Sequence, residues 1–172
     1  MKFVIQRVTA ASVVTNGINI GKIKDGLFVL VGIEDLDTYK TADKMVGKLL
    51  KLRIFCDENG KINRDICHIL KISNDGHMDE IQGEIFIVSQ FTLYADVSHG
   101  NRPSFIKAGE PESAEDIYKY ILKKCRALLN DTSLPDEYEN TLKVKSGSFG
   151  ADMKCEIYND GPFTIIMDSD EM

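Results

Sequence analysis

The reading turns on one stretch, Glu84-Ile85-Phe86-Ile87-Val88-Ser89-Gln90-Phe91-Thr92-Leu93. Its first half is apolar on both alternating faces, which predicts a buried strand covered on two sides. The second half changes character: Ser89, Gln90, Phe91 and Thr92 can all bond or stack, and they sit where the strand ends. Strand ends are favoured places for binding sites. An ordinary strand exit, its hydroxyls bonded to nearby backbone, has the same composition.

Working outward, Leu27-Phe28-Val29-Leu30-Val31 is a second strand of the doubly covered kind. Before it, Phe3 to Val8 is β-rich, and Ala11–Thr15 and Ile18–Ile23 flank Asn16-Gly17, the strongest short hairpin signal. Lys24-Asp25-Gly26 is a further turn. Between the two apolar strands, Ala42, Met45, Val46, Leu49 and Leu50 repeat at helical spacing behind a cap at Asp37 or Thr38. Lys40, Lys44, Lys48 and Lys51 repeat on another face. Arg53-Ile54-Phe55 predicts a short strand, Asn59-Gly60 a turn, and residues 64–83 loops with a short hairpin. Residues 96–111 are irregular. Ser113 to Leu129 predicts a second helix, with Ile117, Ile121, Cys125 and Leu128 on its buried face; 130–140 is a polar connection. Three strands close the order: 142–145, 153–158 and 163–167. The whole reads as one mixed α/β domain over residues 1–172, helices on one side of mostly antiparallel strands.

The chain has 172 residues, 43% hydrophobic and 28% charged, ordinary for a globular protein able to bury a core. Its net charge of −6 excludes a general duplex-coating role, though not contact with one end of an RNA. Lys2 is followed by too few apolar residues for a signal peptide, and no run approaches the ~18 residues of a membrane helix. Cys56, Cys67, Cys125 and Cys155 are scattered and read as reduced, mostly core-filling thiols. The expected location is cytoplasmic, with no membrane partner.

Several chemistries find no support. His68, His77 and His99 make no metal motif, so no metal and no cofactor are expected. There is no phosphate-binding Gly loop and no nucleophile elbow. Ser104-Phe105-Ile106-Lys107 matches a Ser-Lys acyl-transfer pattern without its companion motifs. Gly147-Ser148-Phe149-Gly150, preceded by Lys143 and Lys145, has the form of a phosphate-clamping RNA loop, a pattern more often just a turn. The lysine stripe reads as a solvated face.

A second oddity is Asn159-Asp160-Gly161-Pro162, placed between two strong strand signals. Pro cannot donate to a ladder and belongs at a strand start or edge. Gly admits backbone angles closed to other residues, and the X-Pro bond can be cis. Such a turn presents carbonyls in a fixed direction, and fixed carbonyls can hold an amine. A ligand-free hairpin turn is the plainer alternative.

Taken together, Ser89-Gln90-Phe91-Thr92-Leu93 and Asn159-Asp160-Gly161-Pro162-Phe163-Thr164 resemble the two signature motifs of the D-aminoacyl-tRNA deacylases. Val4-Ile5-Gln6-Arg7-Val8, Leu52-Arg53-Ile54-Phe55, Gly100-Asn101-Arg102-Pro103-Ser104-Phe105 and Gly147 to Met153 resemble four further segments, in family order. The resemblance implies a homodimer of three-layer β/β/α domains that hydrolyses the ester joining a D-amino acid to the 3′-terminal adenosine of tRNA. On that resemblance Ser89, Gln90, Phe91 and Thr92 line the pocket at the scissile ester. Gly161-Pro162 is a cis turn entering the partner subunit's pocket, its carbonyls holding the amino group and chiral centre. Phe149, Gly150, Ala151 and Met153 form the adenosine-side wall, and Arg7 braces the turn.

Rigid main-chain carbonyls can read the Cα–amine geometry common to all amino acids, which side-chain pockets cannot do. Thr92 has no obvious activating base in its motif, so a positioning role is favoured over a nucleophilic one. Backbone N–H groups around Gln90 and Phe91 are candidates for an oxyanion hole, and the substrate's 2′-OH can assist. Phe163 stands where the family usually has Val. His99 and Asn101 replace residues often basic there, and the segments 69–82 and 130–140 are longer than usual. Two competing readings are a deacylase for mischarged L- or achiral residues and a non-catalytic RNA-end-binding module.

Overall fold

The structure, a computed structural model, describes residues 1–73, 75–129 and 143–172. Its frame is a six-stranded sheet of β1 (Lys2–Thr15), β2 (Ile18–Ile23), β3 (Gly26–Gly32), β8 (Glu84–Ser89), β9 (Val144–Ser146) and β10 (Lys154–Asp168). The order is β10-β1-β3-β8-β9, with β2 also paired to β1. Pairing is antiparallel around β1 and parallel from β3 to β8 to β9. Parallel neighbours need crossovers. The crossover from β3 to β8 contains α1 (Tyr39–Leu50), and that from β8 to β9 contains α2 (Pro111–Leu129). Two small hairpins, β4 (Phe55–Cys56) with β5 (Ile62–Arg64) and β6 (Ile69–Ile72) with β7 (Met78–Ile81), fill the first crossover.

Alternation on the two apolar strands divides the core. Leu27, Val29, Val31, Ile85 and Ile87 face the helices and pack with Met45, Leu49, Ile117 and Ile121. Phe28, Phe86 and Val88 face the other way and pack with Val8, Ala11, Val13 and Ile23. Those last four lie in β1 and β2, whose far halves fold back over the sheet. Gly21 permits this approach, because a Cβ there would lie 3.0 Å from the Phe86 ring. The result is helices, a central sheet and a folded-over β layer, the three layers expected.

The Asn16-Gly17 turn forms with both residues at positive φ, 52° and 77°. Thr38 caps α1, its hydroxyl accepting from the Thr41 amide while Thr41 reaches back. The five expected residues of α1 are buried, and its lysines 40, 44 and 48, with Lys51 just past its end, are exposed.

Some expectations fail. Leu128 is 54% exposed and Leu129 is buried instead, continuing the row Tyr118, Leu122 and Cys125 along α2. Cys56 and Cys155 are exposed, so only Cys125 among the four thiols is fully interior. Lys145 is buried within β9 rather than displayed beside the Gly147–Gly150 loop. The last two predicted strands are one strand, β10, paired to β1 on both sides of residues 160–163. The connection 130–140 lies outside the described residues. No described helix is long and apolar enough to cross a membrane.

Candidate functional site

The parallel ladder from β3 to β8 runs through Val31↔Ser89 and ends there. The Gln90 amide still donates to the Val31 carbonyl (2.7 Å), extending the ladder by one bond. The chain then turns into a short 3-10 segment, Phe91–Tyr94. This close turn needs Gly32 on the neighbouring strand, where a Cβ would lie 2.9 Å from Leu93 Cβ. Ser89 and Gln90 are half-buried, and Phe91 is 58% exposed with its ring edge against Phe105 (centroids 5.0 Å apart).

Opposite this strand end, β9 finishes at Ser146 and leads into the Gly147–Gly150 loop. Gly147 brings the loop against β8: a Cβ there would lie 2.8 Å from Met153 Sδ and 3.3 Å from Val88. Gly150 turns the chain at φ 69°. Between the two segments lies a cavity of about 570 Å³. Ser89, Gln90 and Phe91 form one wall, and Phe149, Gly150, Ala151 and Met153 another. Seven of the eleven predicted site residues therefore converge on one space, of a size usual for small-ligand pockets.

The other four lie elsewhere. Thr92 is exposed and does not line the cavity; its hydroxyl accepts from the Gln90 side-chain amide. Gly161 and Pro162 are exposed and do not line the cavity of their own chain. They sit on a protrusion of β10. Gln6 pairs with Thr164 and Val8 with Asn159, so two steps along β1 match five along β10. The surplus loops out as Asp160–Phe163, with the Gly161–Pro162 peptide cis and Gly161 at φ 151°. The turn is thus a bulge in a continuous strand, not the hairpin that the sequence suggests.

Side chains hold this bulge. Asn159 closes it at both ends: the Phe163 amide donates to Asn159 Oδ1 (2.6 Å) and Asn159 Nδ2 donates to the Phe163 carbonyl (3.2 Å). Arg7, opposite the bulge on β1, donates from Nε to the Asp160 carbonyl (3.2 Å) and pairs with the Asp160 carboxylate (2.9 Å). Its Nη1 donates to the Ile54 carbonyl (2.7 Å), and its guanidinium lies 4.7 Å from the centre of the Phe163 ring. The Phe163 departure from the usual Val therefore stacks on Arg7.

Three features escaped the sequence. The Gln90 amide is committed to Val31, so the expected oxyanion donors reduce to the Phe91 amide, the first N–H of a 3-10 turn and so without an acceptor in that turn. A third cavity wall comes from Phe105, Ala108, Gly109, Glu110 and Pro111 with Ala114 of α2. The Gly109 amide ties this wall to the Ile33 carbonyl (2.9 Å), a contact over 76 positions with no local signal. Cys155 also lines the cavity; the residue is exposed, but the partial burial of its thiol raises the pKa above the ordinary value.

Fold and site together define a mixed α/β domain with a pocket at the ends of parallel strands. Solved structures share this fold: the c-Myc DNA Unwinding Element Binding Protein aligns with TM-score 0.76 at 40% identity over 98% of both chains. A probable eukaryotic D-amino acid tRNA deacylase has the same fold at TM-score 0.68 and 17% identity, covering 96% of this chain and 97% of its own. Residues 4–168 match the family described as D-Tyr-tRNA(Tyr) deacylase, and the chain belongs to that family. The D-aminoacyl-tRNA deacylases of Flavobacterium johnsoniae and Thermosipho melanesiensis are 44% and 43% identical to it, over 98% of this chain and 97% of each relative.

Proposed function

We propose that this protein hydrolyses the ester between a D-amino acid and the 3′-terminal adenosine of tRNA, sparing the L-ester. The observation that carries the reading is a division of labour: an open cavity at the strand ends, and a braced Gly161–Pro162 turn that does not line it. In a homodimer the turn of one copy enters the cavity of the other. Its carbonyls accept hydrogen bonds from the substrate's amino group, and an L side chain runs into that carbonyl wall.

Within the cavity Ser89, Gln90 and Phe91 surround the scissile ester. The Phe91 amide donates to the carbonyl oxygen as it gains charge. Phe149, Gly150, Ala151 and Met153 take the adenosine side. Thr92 orients the Gln90 side chain rather than attacking, since its hydroxyl already accepts from that amide. An aminoacyl ester is reactive, so positioning of water with help from the substrate's 2′-OH suffices.

The test is hydrolysis of D-Tyr-tRNA and L-Tyr-tRNA side by side. Loss of the D-ester alone is the expected result. Equal loss of both removes the chiral argument, and tight tRNA binding with no turnover favours an RNA-end-binding module instead. Light scattering tests the dimer, and a monomer at working concentration overturns the cross-subunit site.

A further inference from the structure

Beneath the cavity, three elements meet on one hydroxyl. Tyr118 lies one turn after Ala114 on α2 and is 2% exposed. Its hydroxyl donates to the Ile87 carbonyl of β8 (2.8 Å), and the Gly147 carbonyl just beyond β9 lies 3.4 Å away. Its ring packs on the Phe149 ring, with centroids 5.7 Å apart and planes at 45°. Ile87 is two residues before Ser89, and Gly147 is two before Phe149. The Gly147 amide also donates to the Ile87 carbonyl (2.8 Å), so that one oxygen accepts from both the facing wall and the helix.

We infer that Tyr118 is a positioning residue that sets the width of the cavity by joining, through one buried hydroxyl and one ring, the strand carrying Ser89–Phe91 to the loop carrying Phe149–Met153. The inference rests on the proposed reading only in what fills the cavity. Core filling alone would require the ring and not the hydroxyl. Here the hydroxyl is spent on the two backbone segments from which the two walls spring, and the ring is spent on a wall residue. Burial raises the hydroxyl's pKa, so it stays protonated and remains a donor across the working pH range. Gly147 admits Met153 against β8, and Ala114 continues the α2 surface into the cavity. With the hydroxyl gone, the Ile87 carbonyl keeps its Gly147 bond, but position 118 no longer ties α2 to that pair by a hydrogen bond, and apolar packing alone remains. The Phe149 wall is then free to shift relative to Ser89.

The test is Tyr118→Phe, which keeps the ring and the core volume. The chain has no tryptophan, so Phe149→Trp supplies a single fluorescent reporter on the wall. Acrylamide quenching of that reporter is compared with Tyr and with Phe at position 118. The expected result is at least a twofold rise in the quenching constant in the Tyr118→Phe background, with unchanged far-ultraviolet circular dichroism. In the chain without the reporter, KM for D-Tyr-tRNA is expected to rise about tenfold with kcat within twofold, because binding geometry and not the reacting groups has changed. Unchanged quenching together with unchanged KM overturns the inference and leaves Tyr118 as core filling. A fall in kcat at constant KM also overturns it. If the parent protein does not hydrolyse D-Tyr-tRNA, the proposed reaction fails, while the quenching comparison still decides the role of Tyr118.

Discussion

The cavity and the Gly161–Pro162 turn are held by different means. The cavity walls grow out of the backbone ladder: Gln90 onto Val31, Gly147 onto Ile87, Gly109 onto Ile33. Side chains there can change with little effect unless they fill space that a glycine keeps open or, like Tyr118, bond to the wall-bearing backbone itself. The turn projects from an edge strand, where the ladder lapses. It depends on Arg7, Asn159 and Phe163 reaching in from the side. A backbone-built region tolerates substitution, whereas a side-chain-built region concentrates its fragility in a few residues.

That contrast can be broken at the turn first. Gly161→Ala meets a positive φ of 151° and a Cβ only 2.6 Å from the Phe163 amide. The prediction is a loss of about 100-fold or more in kcat/KM for D-Tyr-tRNA, as expected when a positioning group moves by about 1 Å. The melting temperature should shift by only a few degrees, because the residue is exposed. A variant as active as the parent would mean that the turn does not touch substrate. Arg7→Ala removes the bonds to Ile54 and Asp160 and the face of Phe163 together. The expected cost is about 2–3 kcal/mol of stability, with a D-over-L ratio reduced about tenfold or more. Arg7→Lys should fall between, since an ammonium cannot span both carbonyls as a planar fork does.

The cavity should answer more quietly. Gly147→Ala places a methyl against Met153 and Val88, an overpacking worth about 1–3 kcal/mol. KM should rise several-fold, with kcat nearly held, in steady-state kinetics. Thr92→Ala should cost less than about tenfold in kcat, or about 1.4 kcal/mol. A loss of several orders of magnitude would restore the nucleophile reading. Far from both regions, Thr38→Ala removes the α1 cap. Calorimetry should register about 1 kcal/mol, or some 2–4 °C, and the kinetics should not change.

The elements legible in the sequence are those whose signal is local. Leu27–Val31 and Ile85–Val88 are apolar on both faces because helices cover one side and the folded-over half of β1 the other. The α1 stripe and the Asn16-Gly17 turn report their own geometry. The continuity of β10 was hidden because Gly-Pro reads as a stop, and only the register with β1 reveals that pairing resumes beyond it. The motif residues of the cavity were legible, whereas its third wall and the commitment of the Gln90 amide depend on which strand lies next to which. Asn159 was visible within its motif, but its grip on both backbone groups of Phe163 needs the bulge to exist.

β10 leads out of the cavity wall at Cys155 and reaches Gly161 six residues later, about 20 Å along an extended strand. Pairing with β1 holds that stretch from Lys154 to Asn159, so it acts as a spacer between a chain's own turn and its own cavity. The consequence, on the proposed dimer, is genetic as much as structural. A copy crippled at the turn and a copy crippled at the cavity would complement each other, rebuilding one intact site out of two inactive subunits.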